Sequence, residues 1–201
     1  MIVIIDYGLG NLASVANALD KLGIANKISA SPAVIKKAKA LILPGVGAAG
    51  AGMENLKKRK LDKVITEEIK KGKPFLGICL GMQLLFEKSE EGNVDCLGIL
   101  KGTVKKFKKE RKVPQIGWNN VGIRNYELGI MKNIPKNSYF YFVNSYYCSP
   151  LDSSIIAAET TYGETFASIV VNNNIIGVQF HPEKSGEKGL LLLKNFWENL
   201  C

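Results

Sequence analysis

The chain of 201 residues holds a single histidine, His181. A metal centre built on several imidazoles is excluded at once. The four cysteines, Cys79, Cys96, Cys148 and Cys201, are widely spaced and form no C-x-x-C pair, which leaves neither a zinc site nor a disulfide framework. No apolar run approaches the roughly 20 residues that a membrane helix needs. The opening Met1-Ile-Val-Ile-Ile is apolar but short, has no basic segment, and meets a carboxylate at Asp6. It reads as a buried strand and not as a signal peptide. These absences set the expectation of a cytoplasmic protein with no metal, no cofactor and no membrane partner.

Arginine is scarce too, and the net charge of +9, from 27 basic and 18 acidic residues, is mostly lysine. The lysines spread over Lys36-Lys37, Lys57-Lys58-Arg59-Lys60 and Lys70-Lys71, with the densest run from Lys101 to Lys112. No aromatic-basic interleaving of the single-strand-binding kind accompanies them. They read as solvated faces that bear on solubility, with no nucleic-acid partner implied.

What is present is ordinary globular composition: 46% hydrophobic and 22% charged residues, in a length that suits one α/β domain, 1–201. The first half alternates strand and helix. Ile2–Ile5 is an apolar run. Leu12, Val15, Ala16, Leu19 and Leu22 follow at helical spacing, with Asn11 as N-cap and Gly23 as stop. Ala25–Ser29 is a strand, Ser31-Pro32 opens a short helix, and Ala40–Leu43 is a strand ending at Pro44. Met53–Lys58 and Leu61–Lys71 are helical by pattern. Phe75–Ile78 is a buried strand, followed by a helix over Leu80–Phe86. Such alternation predicts a parallel, doubly wound sheet. The second half turns to short strands: Val94–Lys106, Val113–Val121, Tyr139–Val143, Ile155–Thr160, and a hairpin of Phe166–Val171 and Ile175–Gln179 turned by Asn172-Asn173-Asn174. A helix over Leu190–Leu200 closes the chain.

Three segments are candidates for chemistry. Gly8-Leu-Gly10-Asn-Leu-Ala13 follows a strand and opens a helix, as a dinucleotide-binding turn does. The second strand, Ala25-Asn-Lys-Ile-Ser29, lacks the acid that would take the ribose hydroxyls, so a tight glycine turn is the better reading. Gly77-Ile-Cys79-Leu-Gly81, between an apolar strand and an apolar helix, has the form of a nucleophile elbow with cysteine. Side chains in place of its two glycines would collide with neighbouring strands. The helix after Cys79 would aim free N–H groups and its positive end at the sulfur, favouring thiolate. The N–H of Leu80 would serve an oxyanion. A buried core cysteine is the alternative for this segment taken alone. Gly177-Val-Gln-Phe-His181-Pro-Glu183 ends a strand with the sole histidine. An extended path through Pro182 would project His181 and Glu183 to one side. A thiolate nucleophile needs a base that also protonates the leaving group, and that base needs an orienting carboxylate. Thus Cys79 would attack a carboxamide, His181 would protonate departing ammonia, and water activated by His181 would hydrolyse the remaining thioester and release the carboxylic acid.

With both motifs in view, Gly77-Ile-Cys79-Leu-Gly-Met-Gln83 and His181-Pro-Glu183 resemble the class I (triad) glutamine amidotransferases. Pro44-Gly-Val-Gly47, Gly77 to Phe86, Ser89-Glu-Glu91, Pro114-Gln-Ile-Gly-Trp118-Asn119 and Lys184-Ser185 narrow the resemblance to one branch, the glutaminase subunits of imidazole glycerol phosphate synthase. It runs nearly end to end. Relatives with histidine in place of Met82 act in other pathways. The resemblance implies a flavodoxin-like fold: an open mixed, mostly parallel central sheet flanked by helices, with a smaller antiparallel portion in the second half.

It further implies Cys79 as nucleophile, His181 as base and acid, and Glu183 as orienter. Gly47, Gln83, Glu91, Ser145 and Tyr146 would hold L-glutamine, and Gly45-Val46-Gly47 would supply an oxyanion donor beside Leu80. Asn11, Trp118, Tyr141 and Lys184 would face the partner, a (β/α)8 cyclase subunit in a heterodimer. That partner would use the ammonia to make imidazole glycerol phosphate and an aminoimidazole carboxamide ribotide in histidine biosynthesis. Many relatives have histidine where this chain has Gln115 and Asn144. Three readings stand at this point: this glutaminase subunit, a paralogous glutaminase feeding another synthase such as a sugar-modifying one, and a non-catalytic regulatory or nucleotide-binding module.

Overall fold

A computed structural model describes residues 1–109, 112–125 and 128–200. The basic run from Lys101 to Lys112 is described in part, and Cys201 lies outside the described residues. The first half runs β1 (Ile2–Ile5), α1 (Leu12–Lys21), β2 (Asn26–Ser29), α2 (Pro32–Lys37), β3 (Ala40–Gly45), α3 (Ala49–Lys58), α4 (Leu61–Lys70), β4 (Phe75–Cys79) and α5 (Leu80–Gln83). The second half contains β5 (Lys88–Ser89), β6 (Val94–Asp95), β7 (Gly102–Lys106), β8 (Gln115–Ile123), β9 (Ser138–Asn144), β10 (Tyr146–Pro150), β11 (Ile156–Tyr162), β12 (Glu164–Asn172) and β13 (Ile175–Val178), closed by α6 (Gly186–Leu200).

The sheet is open and mixed. Its parallel part has the order β2-β1-β3-β4-β13. The path continues through antiparallel β12 and β10 to β7, β5 and β6, while β11 leads from β12 to β8 and β9. Strands β1, β3, β4 and β13 are buried along their whole length, as strands with helices on both faces must be. Alternate residues feed two apolar layers. Ile2, Ile4, Leu76 and Val178 pack with Val15 and Leu19 of α1 and with Leu192, Leu193 and Phe196 of α6. Val3, Ile5, Leu41 and Leu43 pack with Ile35 of α2, Met53 and Leu56 of α3, and Leu61 and Ile65 of α4.

Several boundaries differ from the sequence pattern. Helix α3 begins at Ala49, not Met53, because Ala49-Gly-Ala-Gly52 has no apolar rhythm yet lets the helix approach Leu84 closely. Helix α6 begins at Gly186, not Leu190. The predicted helix over Leu80–Phe86 is α-helical only to Gln83. The carbonyls of Leu84, Leu85 and Phe86 accept instead from the backbone of residues 97–100, so tertiary pairing ends the helix early. Asn11 holds the N-cap position of α1, but its side chain caps nothing.

Candidate active site

Cys79 closes β4 at φ 53° and ψ −110°. A non-glycine residue in such a sparsely populated region costs about 1–3 kcal/mol. The surroundings enforce it. A Cβ at Gly77 would lie 2.7 Å from the Gly81 carbonyl oxygen, and one at Gly81 would drive into the Leu43 carbonyl. The elbow thus has the steric form its two glycines predict. Contrary to the expected helix dipole at the sulfur, α5 is a helix of four residues, too short for a substantial macrodipole. The backbone N–H groups after Cys79 remain.

His181 is delivered to the same spot by β13, which pairs in parallel register with β4. Its side chain lines the same cavity as Cys79 and interacts with it, and its Nδ1 lies 2.9 Å from Glu183 Oε1. The expected extended path through Pro182 is not the one taken. Pro182–Lys184 forms a single 3-10 turn, with Lys184 N donating to His181 O at 3.0 Å. Proline's fixed φ at the first position of that turn brings Glu183 to His181 by folding back. His181 N donates to Tyr141 O at 2.9 Å. Ser185 Oγ donates to His181 O at 2.6 Å and accepts from Tyr141 N at 3.0 Å. The ring is therefore held from β9 as well as from its own turn.

Burial pulls the His181 pKa down, but the hydrogen bonds to Cys79 and Glu183, and then their charges, outweigh it and push it up to about 10. The imidazole keeps its proton through neutral pH. Glu183 is 1% exposed at its side chain. Its Oε2 has no partner among the described residues.

A cavity of about 390 Å³ opens onto this centre, and Val46, Gly47, Leu80, Cys79, Gln83, Glu91, Ser145, Tyr146 and His181 all line it. Six stretches of the chain, from Val46 to His181, meet there. Gly45 flanks it, in register with Cys79 across β3 and β4. Gln83 Nε2 donates to Tyr146 O at 3.0 Å and to Gln179 Oε1 at 3.1 Å. Glu91 Oε2 accepts from Ala49 N at 2.8 Å, which ties its carboxylate to the first turn of α3.

Asn11, Trp118, Tyr141 and Lys184 do not line the cavity. Trp118 is 55% exposed and is no core residue. It meets Tyr141 edge-on at 6.0 Å across β8 and β9. Lys184 is exposed in the turn after His181. Gln115 and Asn144 face each other across the same strands, buried, each with an unpartnered oxygen among the described residues. The Gly8-Leu-Gly10 turn is closed by Gly8 N donating to Asp6 Oδ1 at 2.9 Å. A Cβ at Gly10 would lie 3.2 Å from the Pro44 carbonyl oxygen, so the glycine permits close chain packing.

Three residues around the sulfur escape the motif reading. Val143 O lies 3.7 Å from Cys79 Sγ, and Gln179 Nε2 lies 3.7 Å from it. The Tyr7 hydroxyl is buried beside Gly45 without a partner among the described residues. Burial, and then the Cys79 charge, raises its pKa. Gln179 lies just past the end of β13, two residues before His181, where only that proximity could have drawn notice. Val143 acts through its backbone and Tyr7 comes from the other end of the chain, so no local pattern marks either.

The elbow cysteine, the folded-back His-Glu pair and the sheet order define a thiol-dependent amidotransferase class. The family model for glutamine amidotransferase class-I matches residues 3–200, and the chain belongs to that family. Over 199 residues it is 50% identical to the imidazole glycerol phosphate synthase subunit HisH of Dehalococcoides mccartyi, covering 98% of this chain and 97% of that protein. It is 48% identical over 196 residues to the same subunit of Aquifex aeolicus, covering 96% and 94%. A solved glutamine amidotransferase superposes with a TM-score of 0.77 at 18% identity, covering 98% of this chain and all 100% of that one. PurLQS from Thermotoga maritima gives 0.77 at 17%, covering 100% and 98%. Those two share the fold.

Proposed function

We propose that this chain is the glutaminase subunit of an imidazole glycerol phosphate synthase. It hydrolyses L-glutamine to glutamate and ammonia and supplies the ammonia to a synthase partner in histidine biosynthesis. The observation that carries this reading is the strained Cys79 facing one cavity together with His181, whose ring is held by Glu183.

The chemistry follows from the geometry. Cys79 Sγ attacks the side-chain carboxamide carbon, and the oxyanion is met by the N–H of Leu80 and by the Gly45-Val46-Gly47 segment beside it. His181 gives its proton to the departing nitrogen, while Glu183 holds the ring. The thioester is then attacked by water, whose proton His181 takes, and glutamate leaves with the thiol restored. Gly47, Gln83, Glu91, Ser145 and Tyr146 hold the glutamine backbone and stem.

The partner in this reading is a HisF-like (β/α)8 cyclase forming a heterodimer, which makes imidazole glycerol phosphate and aminoimidazole carboxamide ribotide. One face of β8 and β9 suits docking: Ile116 is 61%, Trp118 55% and Tyr139 55% exposed, too much apolar surface together for a free solvated sheet. Asn11, Tyr141 and Lys184 complete that contact. The chain works as one domain, 1–201, in the cytoplasm.

A glutamine-shaped electrophile should alkylate Cys79 selectively, and glutamine should block it. Burial, and secondarily Asp95, pushes the Cys96 thiol up to about 11, and full burial raises Cys148 well above the usual thiol range. Peptide mapping that finds label spread over Cys96 and Cys148 as readily as Cys79 would count against an activated nucleophile.

A further inference from the structure

Gln179 lies inside the segment that ends in His181 but has no role in the reading of that segment, yet it is fully buried against the reacting sulfur. Gly177 lies in β13, where a Cβ would lie 2.6 Å from Met82 Cγ of the elbow helix, and Gln179 and His181 follow just past the end of that strand. Gln179 N donates to Ser168 O at 2.9 Å, which fixes the backbone in the sheet.

The orientation of its amide is dictated from a distance. Tyr146 O is a backbone carbonyl and can only accept. Gln83 must therefore turn its Nε2 toward it, at 3.0 Å. The same Nε2 lies 3.1 Å from the Gln179 side chain, so that atom must be the oxygen. The remaining end of Gln179, Nε2, is then the one that meets Cys79 Sγ at 3.7 Å. A chain of forced donors and acceptors ends with an N–H aimed at sulfur.

The other near neighbour pulls the opposite way. Val143 O, also at 3.7 Å, can accept from a thiol S–H but repels a thiolate. Once the proton has gone to His181, the sulfur can only accept, and Gln179 is a neutral donor within reach. We propose that Gln179 is a further catalytic residue: its Nε2–H stabilises the Cys79 thiolate that attacks glutamine, and Gln83 holds it in the donating orientation. This inference rests on the glutaminase reading above for the substrate, but the contact itself does not.

The groups that titrate around the sulfur are His181, with Glu183 behind it, Cys148 of β10, and Tyr7 after β1. None is altered by substitutions at Gln179. In the complex with the synthase partner, Gln179→Met keeps the length and removes the donor. Gln179→Glu keeps the shape and sets a carboxylate against the sulfur. A hydrogen bond to a charged group is worth about a 10- to 100-fold effect. Gln179→Met should lower glutamine-dependent kcat by about tenfold or more, leave KM for glutamine within about twofold, and leave ammonia-dependent synthesis unchanged. The pH midpoint for alkylation of Cys79 by iodoacetamide should move upward by about one unit, and further in Gln179→Glu.

An unmoved midpoint in both variants, or kcat and KM changing together, would overturn the proposal. On the unsubstituted chain, the side-chain amide resonance of Gln179 should shift when Cys79 is alkylated, and a resonance that stays in place would also contradict it. Failure of the glutaminase reading would look different: the unsubstituted complex would not use glutamine, while the alkylation midpoint would still respond to Gln179.

Discussion

In the proposed mechanism His181 carries two opposed demands: burial disfavours its charge, and the leaving nitrogen requires a proton from it. The bonds to Cys79 and Glu183 decide the contest and raise its pKa to about 10. A raised pKa contributes stability that is full below the unfolded value, about 6.5, and that is lost as pH rises through the folded value. In the proposed mechanism the loss of that proton also limits turnover. Glutamine-dependent kcat should hold through neutral pH and fall as pH approaches about 10. Glu183→Gln should lower kcat and move that alkaline limb to lower pH, because one of the two bonds that hold the proton is weakened. A limb unmoved by Glu183→Gln would mean that the carboxylate does not support the imidazole. Its side chain is shielded from solvent, and among the described residues only His181 hydrogen-bonds it, which concentrates its effect on that ring.

The elbow is the element where sequence and backbone constrain each other most. Its left-handed cysteine is strained, and glycine alone adopts that region freely. Cys79→Gly should therefore be more stable than Cys79→Ala by about 1 kcal/mol, measured by denaturant unfolding of the two inactive variants. Equal stability would mean that the bend costs nothing. This element was legible in the sequence because Gly77 and Gly81 are needed at fixed offsets from Cys79, and because His181 has no competitor. The length of α5 was not legible, since Leu84, Leu85 and Phe86 are as buried as a helix face would make them. Only their pairing with residues 97–100, distant in sequence, stops the helix. Strand β10 was missed for a related reason. Tyr146–Pro150 shows mixed burial and ends in proline, and its place is set by pairing with β7. The fold-back at Pro182 hid in a residue that suits either an extended chain or the first turn of a helix.

At the scale of the whole molecule, strand ends converge on one edge of the sheet. Strands β3, β4 and β13 run parallel, so Gly45, Cys79 and His181 arrive together from three distant parts of the chain, where open α/β sheets place their ligands. Strand β9 joins this edge to the exposed face of Trp118 and Tyr139. Its Tyr141 carbonyl accepts from His181 N, and its Val143 carbonyl lies at the Cys79 sulfur. A partner docked on that face would lie one strand from both reacting groups. In the proposed reading the glutaminase role rests on Cys79 and His181, and docking on the β8 and β9 face. The most direct test replaces Cys79 by alanine in the assembled complex with the synthase and compares synthesis from glutamine with synthesis from ammonium salts. Loss of the glutamine-dependent reaction with the ammonia-dependent one intact is the predicted result. Equal loss of both, or retention of glutamine-dependent synthesis, would contradict the account.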